Sequence, residues 1–158
     1  MGKKLASCAL TGHRKIEKDF TSEMLRKQLY DLVERGVTTF YCGMAIGFDL
    51  LCAREILEIK KYFPVRLVAC IPCADQSNKF SPYWRNAYNL VLRNADEKVV
   101  LNPVYRTGCM FERNRYMVDR ADILYAYCND NKGGSAYTVA YAQQKGIPVL
   151  HYGAELAL

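Results

Sequence analysis

The sequence predicts an α/β protein, a Rossmann-like three-layer sandwich with a mostly parallel sheet. Two observations carry that prediction. Short apolar runs alternate with helix-periodic segments from one end of the chain to the other, and the runs are apolar at successive residues rather than at every second one. A strand that is apolar on both faces is covered on both, and strands separated by helices pair in parallel with helices on either side of the sheet.

LASCALT (5–11) is the first strand and runs into Thr11 and Gly12. Leu25, Leu29, Leu32 and Val33 then share one helical face, closed by Gly36. VTTFYC (37–42), rich in β-branched and aromatic residues, is the second strand, and the pattern from Phe48 to Ile59 is helical, with Pro64 marking its end. VRLVACI (65–71) is a third strand, PYWRNAYNLVLRNA (82–95) a helix and EKVVL (97–101) a fourth strand. A helix over Phe111–Arg120 precedes the strand DILYAYC (122–128); GGSAYTVAYAQQKG (133–146) reads as a turn and helix, and IPVLHY (147–152) as the last strand, with His151 inside it as a structural residue. No repeat, linker or low-complexity segment interrupts this order, so residues 1–158 are expected to form one domain.

Composition narrows the function classes. With 51% hydrophobic and 24% charged residues the chain is neither disordered nor membrane-like. No apolar run approaches a membrane span, and the apolar stretch near the N-terminus is short for a signal peptide. Seven cysteines, an odd number, lie mostly inside apolar runs, as free thiols of a reducing compartment do; the expected location is the cytoplasm. Cys70 and Cys73 form a C-x-x-C, but Pro72 intervenes and no second pair completes four zinc ligands, so a core role and no metal is expected. The net charge of +6 favours anionic partners without gathering into a run.

Ligands of such sheets bind at the carboxyl ends of the strands. There the chain carries Thr11, Gly12, His13 and Arg14 after the first strand, Gly43 to Gly47 after the second, and Asn129 to Ser135 after the fifth. Glycines at a strand-to-helix turn let an anion approach the free N–H groups and the positive dipole end of the helix. Gly43 and Gly47 are read in this way, as are Gly133 and Gly134; Asp49 would accept from a ribose hydroxyl or cap its helix. G-x-x-x-G is not the dinucleotide fingerprint, and a glycine turn after a strand is often only a turn. In CMFERNRYMVDRAD (109–122), Arg113, Tyr116, Met117 and Arg120 share a helical face while Asn114 is expected to point elsewhere. Either Arg113 or Asn114 would touch ligand phosphate or sugar; the alternative is a solvated face with Glu112 and Asp119 as ion-pair partners.

Taken together, TGHR (11–14), GMAIGFD (43–49), RNRYMVDRAD (113–122) and GGSAYTVAYA (133–142) resemble the YpsA-like family of the SLOG superfamily, which unites the DNA-processing protein DprA and the Lonely Guy phosphoribohydrolases. The resemblance implies a Rossmann-like fold, a nucleotide-derived ligand over the strand ends, no separate cofactor, and a homodimer or higher homo-oligomer. GMAIGFD looks like the Gly-Leu-Ala-x-Gly-Ile-Asp segment of DprA, which implies that Gly43, Met44, Ala45, Gly47 and Asp49 line the pocket. Gly133, Gly134, Ser135 and Thr138 resemble a Gly-Gly-Thr-x-x-Thr pattern. Where the family usually has Trp and Glu beyond the second glycine loop, this chain has Leu51 and Arg54.

Three functions are compatible with these residues. The first is a nucleotide-binding sensor, adaptor or sequestering protein. The second is a phosphoribohydrolase; Met110–Asn114 resemble the Lonely Guy Met-His-x-Arg-Lys motif and would make Arg113 catalytic, but the position of the hydrolase Glu is Tyr141, and glycosidic cleavage needs a carboxylate. Asp49 or Glu112 would have to stand in. The third is single-stranded DNA binding, for which Tyr83, Trp84, Arg85 and Tyr88 are the only aromatic and basic cluster and helix packing is the simpler explanation.

Overall fold

In the computed structural model, which describes residues 4–157, the strands are β1 (Ser7–Gly12), β2 (Thr39–Cys42), β3 (Arg66–Ile71), β4 (Glu97–Val100), β5 (Ile123–Tyr127) and β6 (Val149–His151). Between them run α1 (Ser22–Glu34), α2 (Phe48–Ile59), α3 (Pro82–Asn94), α4 (Cys109–Arg120) and α5 (Gly133–Lys145). The β-α alternation read from the sequence holds, and α2 has the bounds its periodicity gives. A short 3-10 turn, Gln76–Lys79, is an addition. The Thr21 hydroxyl starts α1 by accepting from the Met24 N–H at 3.1 Å, filling one of the donors that a helix N-terminus leaves open.

All pairings among the described residues are parallel, in the order β4-β3-β2-β1-β5-β6, so the sheet is wholly parallel where a mostly parallel one was expected. On one face Leu25, Leu29 and Leu32 of α1, Phe48 and Ile56 of α2 and Val91 of α3 close over Leu10, Phe40 and Leu67. On the other, Met117 and Val118 of α4 and Ala142 of α5 cover Ala9, Val68, Leu124 and Ala126. Edge strand β4 departs from the both-faces-apolar rule: Glu97, Lys98 and Val100 are exposed. Charge on an edge strand discourages pairing with another chain. His151, at the opposite edge, also has an exposed side chain.

Strand order places the site. From β1 the chain steps outward through β2, β3 and β4; α4 then carries it back to β5, on the other side of β1. Loops leaving β1 and β5 therefore diverge, and the crevice between them is the position such sheets give to ligands. Among the described residues, no helix is long and apolar enough to cross a membrane. Six of the seven thiols are buried and Cys128 is half-buried; none is paired. Burial pushes Cys70 and Cys73 up to about 12, and no group of three potential metal ligands occurs among the described residues.

Candidate ligand-binding site

A cavity of about 340 Å³ opens over the ends of β1 and β5. Four segments line it: Thr11 to Arg14 at the end of β1, Ala45 and Asp49 around the start of α2, Met110, Arg113 and Asn114 on α4, and Lys132 to Ser135 at the start of α5. The four motifs found in the sequence thus converge on one hollow.

The loop after β1 is pinned from both neighbours. The His13 N–H donates to the Tyr127 carbonyl at 3.1 Å, and its own carbonyl accepts from the Phe48 N–H at 3.1 Å. Its imidazole Nε2 accepts from the Asn129 N–H at 2.7 Å, and the ring stands edge-on to Tyr127. His13 thereby joins the loops after β1 and β5.

Gly47 turns β2 into α2 with φ +83°; a Cβ there would lie 2.3 Å from the Arg14 carbonyl oxygen and 2.6 Å from that of His13. Gly43 serves a different neighbour. A Cβ at 43 would stand 2.7 Å from the Arg113 guanidinium carbon. Neither residue lines the cavity, and each leaves room for another part of the protein. Met44 also lies behind the lining, fully buried in the core at φ +64°, with its N–H directed to the Cys42 sulfur.

Arg113 is buried on the cavity floor and tightly held. Its Nη1 donates to the Gly43 and Cys70 carbonyls and its Nε to Asn114 Oδ1 at 2.8 Å. Gln76 Nε2 donates to the same Gly43 carbonyl at 3.0 Å. The expectation that Asn114 faces away from Arg113 is corrected here. Met110, Arg113 and Asn114 are spaced three and four apart, one helical face, and the Arg113–Asn114 bond joins the last two. Arg120 instead turns outward and lies over the Tyr116 ring, 3.5 Å from its centroid. Burial lowers the proton affinity of Arg113, opposed chiefly by the negative charge of Asp49.

Asp49, only 5% exposed, is the one carboxylate lining the cavity among the described residues. Its Oδ2 accepts from the Ala45 N–H at 3.3 Å, while Oδ1 is buried with no partner. Burial pushes the carboxyl up to about 6, against the opposing pull of Arg113, the Ala45 N–H and Arg14. Glu112 is elsewhere engaged, accepting from Asn102 and Arg106 at 2.8 Å each. Tyr141 donates to Asp119 at 2.7 Å across the α4–α5 contact, away from the lining.

At the start of α5 no side chain caps the helix, and a Cβ built on Gly133 or Gly134 would meet nothing within 4 Å. Here glycine does leave backbone amides open, as an anion site requires. Lys132 stands beside them as the residue preceding the helix, and the sequence reading missed it because a single lysine before the glycine pair carries no pattern. Thr138 lies one turn further on, fully buried, its hydroxyl donating back to the Gly134 carbonyl at 2.8 Å. The Tyr83–Tyr88 cluster lies outside the lining. Arg85 in it binds the carbonyls of Ser77, Asn78 and Phe80, and Tyr88 is buried.

Residues 8–148 match the model of the YspA SLOG family. A UPF0398 protein of Halalkalibacterium halodurans is 23% identical over 130 residues, 80% of this chain and 69% of that protein. Among solved structures, DNA processing protein A from Helicobacter pylori, described for its single-stranded DNA binding mode, superposes with a TM-score of 0.69 at 18% identity over 96% of this chain. DNA processing protein A from Streptococcus pneumoniae gives 0.67 at 18% identity over 94%. This chain spans 66% and 50% of those two chains, and at that identity the likeness is one of fold.

Proposed function

Because this chain belongs to the YspA SLOG family, we propose that residues 1–158 act as one SLOG domain that binds a nucleotide-derived small molecule, a nucleotide or ADP-ribose-like compound, as a sensor, adaptor or sequestering protein. One observation carries the reading: the buried carboxylate Asp49 and an uncapped helix N-terminus whose glycines face open space line one cavity. The helix end favours a phosphate through its free N–H groups and dipole. Arg14 and Lys132 add positive charge to the same hollow.

The lining supports binding over hydrolysis. A phosphoribohydrolase would have only Asp49 to draw on, since Glu112 and Tyr141 are engaged elsewhere. The cytoplasm suits seven unpaired thiols. A homodimer belongs to the same reading on the family likeness, and sedimentation equilibrium reads it directly, a single-copy mass removing it.

Titration calorimetry of the full chain with AMP, ADP-ribose, NAD and cyclic nucleotides tests the proposal. Saturable heat with one of them is the expected result. Flat traces from folded protein overturn it, release of free base from a nucleoside monophosphate moves the protein to the hydrolases, and a salt-sensitive gel shift with single-stranded DNA in place of nucleotide heat moves it to nucleic-acid binding.

A further inference from the structure

We infer that Arg113 serves the ligand through Asn114: it is a positioning residue that fixes the Asn114 amide, so that the cavity floor presents an N–H donor to a phosphate oxygen. The inference rests on the nucleotide-binding reading above and deepens it.

Asn114 lines the cavity and is 7% exposed. Its Oδ1 accepts from Arg113 Nε at 2.8 Å, and because a guanidinium has no acceptor this bond admits one orientation of the amide, oxygen toward Arg113 and nitrogen away. Nδ2 bonds none of the described residues. Yet it is not among their sealed unpartnered polar atoms, which are Asp49 Oδ1, Asp75 Oδ1 and Gln76 Oε1, so it keeps accessible surface, and the cavity is what Asn114 opens on. The hydroxyls of Thr11 and Ser135, also buried in the lining, are unpartnered and unsealed in the same way.

Arg113 itself has little left to offer a ligand. Its Nη1 donates to the carbonyls of Gly43, after β2, and Cys70, in β3, and Nη2 has the Met110 sulfur at 3.9 Å. A guanidinium held from several elements makes Nε a stationary donor, whereas an asparagine without such a neighbour can turn either end to the ligand. Thr11 lies two residues beyond Ala9, on the face of β1 that α4 and α5 cover, so its hydroxyl, the Asn114 amide and the Ser135 hydroxyl in the first turn of α5 share one side of the sheet. The carboxylate of the lining, Asp49, belongs to α2 on the other side. With the open N–H groups of the α5 terminus, these three side chains form a corner of donors suited to a phosphate.

A double-mutant cycle read by calorimetry tests this with AMP, or with ADP-ribose or NAD where the parent binds only those. Asn114→Ala should weaken binding roughly tenfold, and Asn114→Asp, which puts an acceptor where a donor stood, should weaken it further. Arg113→Lys keeps the charge and loses the planar fork, so it should weaken binding in the parent but not in Asn114→Ala. Direct pairing of Arg113 with the ligand predicts additive losses instead. Equal loss in both backgrounds, or loss in neither, overturns the assignment. So does parental affinity in Asn114→Ala, a result that needs no variant at 113 to fold, and thermal melting of each variant separates lost binding from lost structure. A parent that binds none of the three nucleotides overturns the nucleotide reading as well.

Discussion

Arg113 Nη1 donates to the Gly43 carbonyl across 70 positions of sequence, and a Cβ on Gly43 would reach within 2.7 Å of the guanidinium carbon. The glycine after β2 is therefore fitted to an arginine of α4. Gly43→Ala must shift a buried side chain that several acceptors hold, and overpacking of this kind costs about 1–3 kcal/mol. At roughly 2–4 °C per kcal/mol for a domain of this size, thermal unfolding should fall by several degrees. A melting temperature equal to the parent's would mean the arginine yields without cost.

Gly134 makes the opposite prediction. It lies in the first turn of α5, and an added Cβ meets nothing within 4 Å. Alanine is the better helix former by roughly 0.5–1 kcal/mol, so Gly134→Ala should raise stability slightly. The methyl group would stand where an anion approaches the helix amides, so nucleotide heat should diminish. Stability and binding moving together would argue that this turn does not receive the ligand.

The contrast between these glycines shows what the sequence displayed and what it withheld. Strand and helix alternation was legible because periodicity is local, and α2 was read with its observed ends because Gly47 and Pro64 bracket an unbroken helical pattern. Three of the four motifs were legible because each sits at the end of a strand, and the fourth, on α4, because its arginines are dense. Partners distant in sequence were not. Gly43 faces Arg113, Gly47 faces the backbone of His13 and Arg14, and neither pairing leaves a local trace. Asn114 falls off the face that Arg113 shares with Tyr116 and Met117, but it lies four residues after Met110, and Met110, Arg113 and Asn114 together line the cavity. The unpartnered Asp49 Oδ1 is a property of packing alone and has no sequence signal.

His13 should behave as a brace. Its Nε2 accepts the Asn129 N–H at 2.7 Å, tying the β1 loop to the segment that leads into α5. His13→Ala removes one such bond, worth about 1 kcal/mol. The local effect should exceed the global one, with faster amide exchange in residues 128–135, measured by mass spectrometry, and weaker nucleotide binding. Unchanged exchange there would deny the bracing role.

Asp49 should make the ligand-free protein lose stability as pH rises. Burial lifts its carboxyl from 3.8 to about 6. Between those values the folded protein holds a proton that the unfolded chain has released, so this group favours folding at pH 4 and stops doing so above about pH 6. The difference of about two pKa units corresponds to as much as roughly 3 kcal/mol. Other groups act in the opposite sense: Asp96, held down by Lys60 and the Leu67 N–H against its own desolvation, favours folding at higher pH. The discriminating quantity is therefore the difference between parent and Asp49→Asn. Urea unfolding of both at pH 4.5 and 7.5 should show the variant gaining on the parent as pH rises, since it carries no buried charge to desolvate. Parallel stabilities at the two pH values would mean that Asp49 is solvated in the folded protein and that burial does not set its proton affinity.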